Sequence, residues 1–101
     1  MIDLKKLQKE IFENKKAKGF NTSNVNLEFN LIYAELAEAF EAYRKKLPDL
    51  GEELADVAIY LLGLSEMLNI DLEKEILKKV EKNKKREYQR INGVITRTKD
   101  A

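Results

Sequence analysis

The chain has 101 residues, 44 % of them hydrophobic and 37 % charged, with a net charge of +1, which is the composition of one soluble globular domain. It contains neither cysteine nor histidine, so a disulfide framework and thiolate metal sites are excluded. Met1 to Glu10 alternates charged and apolar residues without a signal-peptide core, and no apolar run approaches the roughly 18 to 20 residues that span a bilayer, so a cytoplasmic, membrane-free protein is expected.

The first element expected is a helix from about Asp3 to Lys18, with Leu4, Leu7, Ile11 and Phe12 at helical spacing and a stop before Gly19. Gly19 to Asn24 reads as a loop. A second helix should run from about Asn26 to Lys46, ended by Pro48. The third should open at Asp49, with Glu52 three residues on in a capping-box-like pattern, and continue to about Leu68. Asp71 should cap a fourth helix reaching Tyr88 to Ile91.

No stretch alternates with a two-residue period between hairpin turns, so strands are not expected. The tail from Val94 to Ala101 has no helical period and is expected to fray or to pack on a partner chain. The reading is an all-α four-helix bundle over residues 1–91, followed by a C-terminal tail over 92–101. A core this small favours burial of further surface by self-association, through helix faces including Phe29, Ile32, Tyr33 and Phe40.

Charge is unevenly spread. Glu28 to Asp56 holds eight acids against three bases, whereas from Leu72 onward ten bases face five acids. An acidic middle folded against a basic end can hold a cation beside an anion.

On the second helix Glu35 and Glu38 are three apart and share a face, continued by Glu28, Leu31 and Ala42. On the third, Glu53 and Asp56 repeat that spacing, with Tyr60, Gly63 and Met67 following. Beside them runs an apolar seam, Leu54, Val57, Leu61, Leu64 and Leu68, which is expected to face the core. If the two helices pack antiparallel, the carboxylate pairs meet.

Glutamates three apart on a helix are more often a solvated face than a site. Two equally spaced pairs on consecutive helices, each beside apolar residues, bring the site level with the solvated-face reading. Four converging carboxylates repel, by roughly 4 kcal/mol per pair about 4 Å apart at an effective dielectric of 20, and a cation removes that cost. All-oxygen ligation selects magnesium, with manganese the alternative, and magnesium bridges naturally to phosphates. A neighbouring carboxylate can then deprotonate a water for attack on phosphorus.

The fourth helix places Leu72, Ile76, Lys79, Asn83, Arg86 and Arg90 on one stripe, where Lys79 and Asn83, and less directly Arg86, can reach phosphate oxygens. Its other lysines read as solvated surface. In the loop, Phe20 can stack on a base, with Asn21 or Asn24 as hydrogen-bonding partners, or it can simply cap the bundle.

These motifs together resemble the MazG-like family of all-α nucleoside triphosphate pyrophosphohydrolases, whose pattern is Glu-Glu-x-x-Glu, a spacer, then Glu-x-x-Asp. Here it stands as Ala34-Glu35-Leu36-Ala37-Glu38 and Glu53-Leu54-Ala55-Asp56, with Asp56 to Leu62 and Lys79-Val80-Glu81-Lys82-Asn83 also similar. The resemblance covers about Leu27 to Tyr88. It departs at Ala34, where many members carry the first glutamate, and that bears on the number of metal ions.

The resemblance implies a four-helix bundle of the all-α NTP pyrophosphatase type and magnesium-dependent hydrolysis of a (deoxy)nucleoside triphosphate to monophosphate and pyrophosphate, as in house-cleaning of non-canonical nucleotides. It implies Glu35, Glu38, Glu53 and Asp56 as metal ligands or base, Lys79 and Asn83 on phosphate, Tyr60 near the sugar or base, and a homo-oligomer, dimer or tetramer, whose neighbouring chains help to wall the pocket. The competing readings are a non-catalytic helical interaction module, or a MazG-like relative without turnover. A di-iron carboxylate bundle needs Glu-x-x-His pairs, which a chain without histidine cannot supply. Nucleic-acid binding is not expected, because Glu73, Glu75, Glu81 and Glu87 interrupt the lysines of the fourth helix.

Overall fold

The computed structural model describes residues 1–99 and is mostly helical. Four helices, α1 (Leu4–Ala17), α2 (Val25–Arg44), α3 (Leu50–Met67) and α4 (Leu72–Lys85), are followed by a two-stranded antiparallel sheet, β1 (Glu87–Ile91) and β2 (Val94–Lys99).

Local chemistry sets the helix boundaries. Asp3, Asn24 and Asp71 are N-caps whose side chains accept from the backbone N–H three residues on, at 3.0, 3.0 and 3.1 Å. α1, α2 and α3 all end with a left-handed residue, Gly19, Lys46 and Asn69. The following N–H then bonds back across the last turn: Phe20 to Lys15, Leu47 to Ala42 and Ile70 to Ser65. The second helix therefore stops at Arg44, before Pro48 acts. The capping box expected at the start of α3 does not form, because Asp49 makes no side-chain cap bond and its Oδ1 is buried without a partner.

The strands correct the reading of the C-terminus. Arg86 adopts extended dihedrals and ends α4, and Asn92 and Gly93, with φ of 52° and 78°, turn the chain as the two central residues of a tight hairpin. Asn-Gly is the pair that accepts positive φ at both positions most readily, and Val94, Ile95 and Thr96 have the β-branching that strands favour. A hairpin thus replaces both the last helical turn and most of the irregular tail; Asp100 and Ala101 lie outside the described residues.

α3 is the central element and packs antiparallel against both α1 and α2. On one side Gln8 Nε2 of α1 donates to Glu66 Oε1 at 2.9 Å and to the Ile70 carbonyl at 2.7 Å, while Lys15 lies by Gly63 and Tyr60. Among the described residues the buried hydrophobic ones are Ala39 and Ala42 of α2 and Leu62 and Leu64 of α3. α4 meets α1 at its start, where Glu73 accepts from the Leu4 N–H and Lys5 pairs with Asp71, but it buries none of its own residues.

The seam on α3 does not behave as expected. Leu54, Leu61 and Leu68 are exposed, Val57 is half-buried, and of that set Leu64 alone is buried. Burial is instead concentrated in one turn, Leu62 to Ser65, which is enclosed on all sides, and Gly63 there admits Lys15 and Ile11 of α1 closely. Among the described residues no helix is long and apolar enough to cross a membrane.

Candidate carboxylate site and cavity

Antiparallel packing of α2 on α3 brings the two carboxylate pairs together. One oxygen each from Glu35, Glu38 and Glu53 lies within 4.8 Å of the others, with Glu35 and Glu53 half-buried and Glu38 exposed. Asp56 stands outside this trio, but its charge acts on both Glu35 and Glu53.

Crowding is visible in the proton affinities. Burial holds the Glu35 carboxyl above the usual glutamate range, and the charges of Glu38, Asp56 and Glu53 push it further. Glu53 is likewise raised, by burial first and then by Asp49, Glu38 and Asp56. Among the described residues Glu53 Oε2 is buried with no hydrogen-bond partner. An unpaired buried carboxylate oxygen facing other acids is the donor set a hard divalent cation satisfies, so the residues present fit magnesium.

Glu35 and Asp56 also line a cavity of about 720 Å³ between α1, α2, α3 and the loop after α1. Ile11, Leu27, Leu31 and Ile59 give it apolar walls, and Phe20 and Tyr60 add rings. Tyr60 is half-buried, and its hydroxyl is held protonated to higher pH, by burial first and then by Glu35, Glu28, Asp56 and Glu38. Phe20 and Tyr60 therefore share one cavity with two of the acids. The dimensions suit a small organic molecule.

No protein-family model matches the chain, and no curated protein and no solved structure matches it.

The asparagines of the loop are committed to local structure. Asn21 Nδ2 donates to the Asn24 carbonyl at 2.8 Å and to Glu28 Oε1 at 3.0 Å, its Oδ1 accepts from the Ser23 and Asn24 N–H groups, and Asn24 is the α2 cap. Lys79, Asn83 and Arg86 line neither the cavity nor the carboxylate cluster. Lys79 instead sits among cations: burial, then Arg86, Lys82 and Arg97, lower its pKa. Arg86 Nη1 donates to Asn83 Oδ1 at 3.2 Å. The physical reason is that α4 leaves the body after its first turns, so a stripe shared along the sequence does not share the site.

Lys15 stands outside the acidic pattern but belongs to the same neighbourhood. Its ammonium pairs with Glu28 Oε2, in a contact where Glu28 is fully buried, and it lies 5.8 Å from the centre of the Tyr60 ring. Gln8 and Lys15, both buried, continue the stripe of Leu4 and Ile11 at helical spacing. Polar residues at core positions of an amphipathic helix were the available signal.

Proposed function

We propose that the chain hydrolyses (deoxy)nucleoside triphosphates to nucleoside monophosphate and pyrophosphate with magnesium. The observation that carries this is the convergence of Glu35, Glu38 and Glu53 within 4.8 Å, beside a cavity that Glu35 and Asp56 also line. The resemblance to MazG-like enzymes supports the same reading, with manganese as the alternative metal, and with self-association to wall the pocket.

Glu35, Glu38, Glu53 and Asp56 would hold the ion. When bound, it supplies neutralisation of phosphate charge and acidification of a coordinated water. Glu35, raised in proton affinity and shared by the acidic trio and the cavity lining, would be suited to take a proton from such a water. Phe20 and Tyr60, which line the cavity together with apolar walls, would flank the organic part of the substrate.

The test is pyrophosphate release over a panel of deoxy- and ribonucleoside triphosphates, with magnesium, with manganese and with chelator. Metal-dependent release that disappears in Glu35→Gln is the expected result. Absence of release with every nucleotide and both metals would leave the chain a helical interaction module.

A further inference from the structure

We propose that Lys15 reads the base of the substrate, donating from its ammonium to a ring carbonyl oxygen, so that keto bases are taken in preference to adenine. This rests on the nucleotide reading above and names the substrate class within it.

Lys15 and Glu28 are a charged pair that the proposed hydrolysis does not use. Both line the cavity, with Lys15 9 % and Glu28 0 % exposed. A buried ion pair gives little stability that apolar residues of the same volume would not supply. Yet α3 is shaped around this one. Gly63 lies inside a helix, where glycine is disfavoured, and leaves the room that the Lys15 side chain occupies.

The pair leaves donors over. Both oxygens of Glu28 are engaged, Oε1 by Asn21 Nδ2 at 3.0 Å and Oε2 by Lys15. The ammonium has three N–H groups. Among the described residues Glu28 is its one hydrogen-bonding partner, and the Tyr60 ring lies 5.8 Å away. N–H groups therefore remain for a guest of the cavity, and among the described residues that line it Lys15 is the one cation.

The acceptor that suits them is neutral. Glu28 already balances the charge of Lys15, and a phosphate drawn to the ammonium would meet the buried carboxylate that holds it. A carbonyl oxygen keeps the pair intact and gains a charge-assisted hydrogen bond. Its neighbours assign that contact to the base. The Phe20 N–H donates to the Lys15 carbonyl at 2.9 Å and Asn21 is tied to Glu28, so the pair anchors the loop that brings the Phe20 ring to the cavity. Lys15 thus belongs with the two aromatic residues, whose faces suit a base, and its donors serve the edge of that base. Guanine, cytosine, thymine and uracil all present a ring carbonyl; adenine has none.

The test is pyrophosphate release with magnesium from dCTP, dGTP, dTTP, dITP and dATP, the last two differing at C6, carbonyl against amino. KM for dATP should stand about tenfold or more above the others, because an analogue without the acceptor leaves a buried donor unpaired. Lys15→Met combined with Glu28→Gln strands no charge, and should raise KM for the keto nucleotides to the dATP level, more than it lowers kcat, with stabilisation by magnesium kept. A folded double variant with wild-type KM values would make the pair purely structural and overturn the proposal. Equal loss for dATP and dITP would overturn the carbonyl contact as well. Should the double variant not fold, the wild-type chain decides, since dATP used as readily as dITP sinks the idea. Thermal shifts with α,β-imido analogues of dITP and dATP separate this failure from failure of the hydrolysis. Binding that favours the keto base without release keeps the role of Lys15 and removes the reaction, whereas no binding of either removes both.

Discussion

Gly63 leaves the space that Lys15 fills: a Cβ at position 63 would lie 3.2 Å from Lys15 Cδ and 3.3 Å from Nζ. Lys15 has little freedom to yield, because its ammonium is fixed on the buried Glu28. Gly63→Ala gains about 1 kcal/mol of helix propensity and meets an overpacking cost of roughly 1 to 3 kcal/mol. The expected net effect is a loss of about 1 kcal/mol, read as a lower Tm by a few degrees in thermal melts. A higher Tm would mean that Lys15 leaves this position freely.

The Lys15 and Glu28 pair gives a sharper test. Lys15→Met strands a fully buried carboxylate and should cost about 3 to 5 kcal/mol in urea unfolding. Adding Glu28→Gln removes the stranded charge while keeping an acceptor for Asn21 Nδ2, so the double variant should be more stable than Lys15→Met alone. If the two variants unfold alike, the pair is wetter than its burial indicates.

The carboxylate cluster predicts a pH dependence. Glu35 and Glu53 are raised by burial and by neighbouring acids, so the folded chain binds their protons more readily than the unfolded chain does. Their contribution to stability is fully present below the unfolded pKa and is lost as pH rises through the raised folded value. Without divalent metal, Tm should therefore rise as pH is lowered from about 7 toward 5, and magnesium should flatten the profile by replacing protons as the neutralising charge. Asp56→Asn should raise Tm in chelator at neutral pH, reduce the stabilisation by magnesium, and abolish pyrophosphate release. Retained turnover in that variant would remove α3 from the proposed metal site.

Periodicity with local caps and breakers determined α1 to α3 to within a residue or two at each end and the start of α4, because N-caps such as Asp3 and Asp71 and breakers such as Gly19 act over one turn of local chain, whereas the end of α4 was overrun by the hairpin. Equal spacing also placed Glu35 with Glu38 and Glu53 with Asp56 on common faces, since a helix face follows from residue number. Only tertiary packing decided that the two faces meet, that Lys15 crosses from α1 to the buried Glu28, and that Lys79 and Asn83 stand away from the acids. Those relations join residues far apart in sequence through the relative placement of helices, which no local pattern contains. The seam of α3 shows the same limit. Spacing identified Leu54, Leu61 and Leu68 as one apolar stripe, but a stripe does not say whether its partner lies in the same chain, and these side chains are exposed. The hairpin was legible in Asn92-Gly93, yet its flanks lack the alternation of a half-buried strand because neither face is buried within this chain.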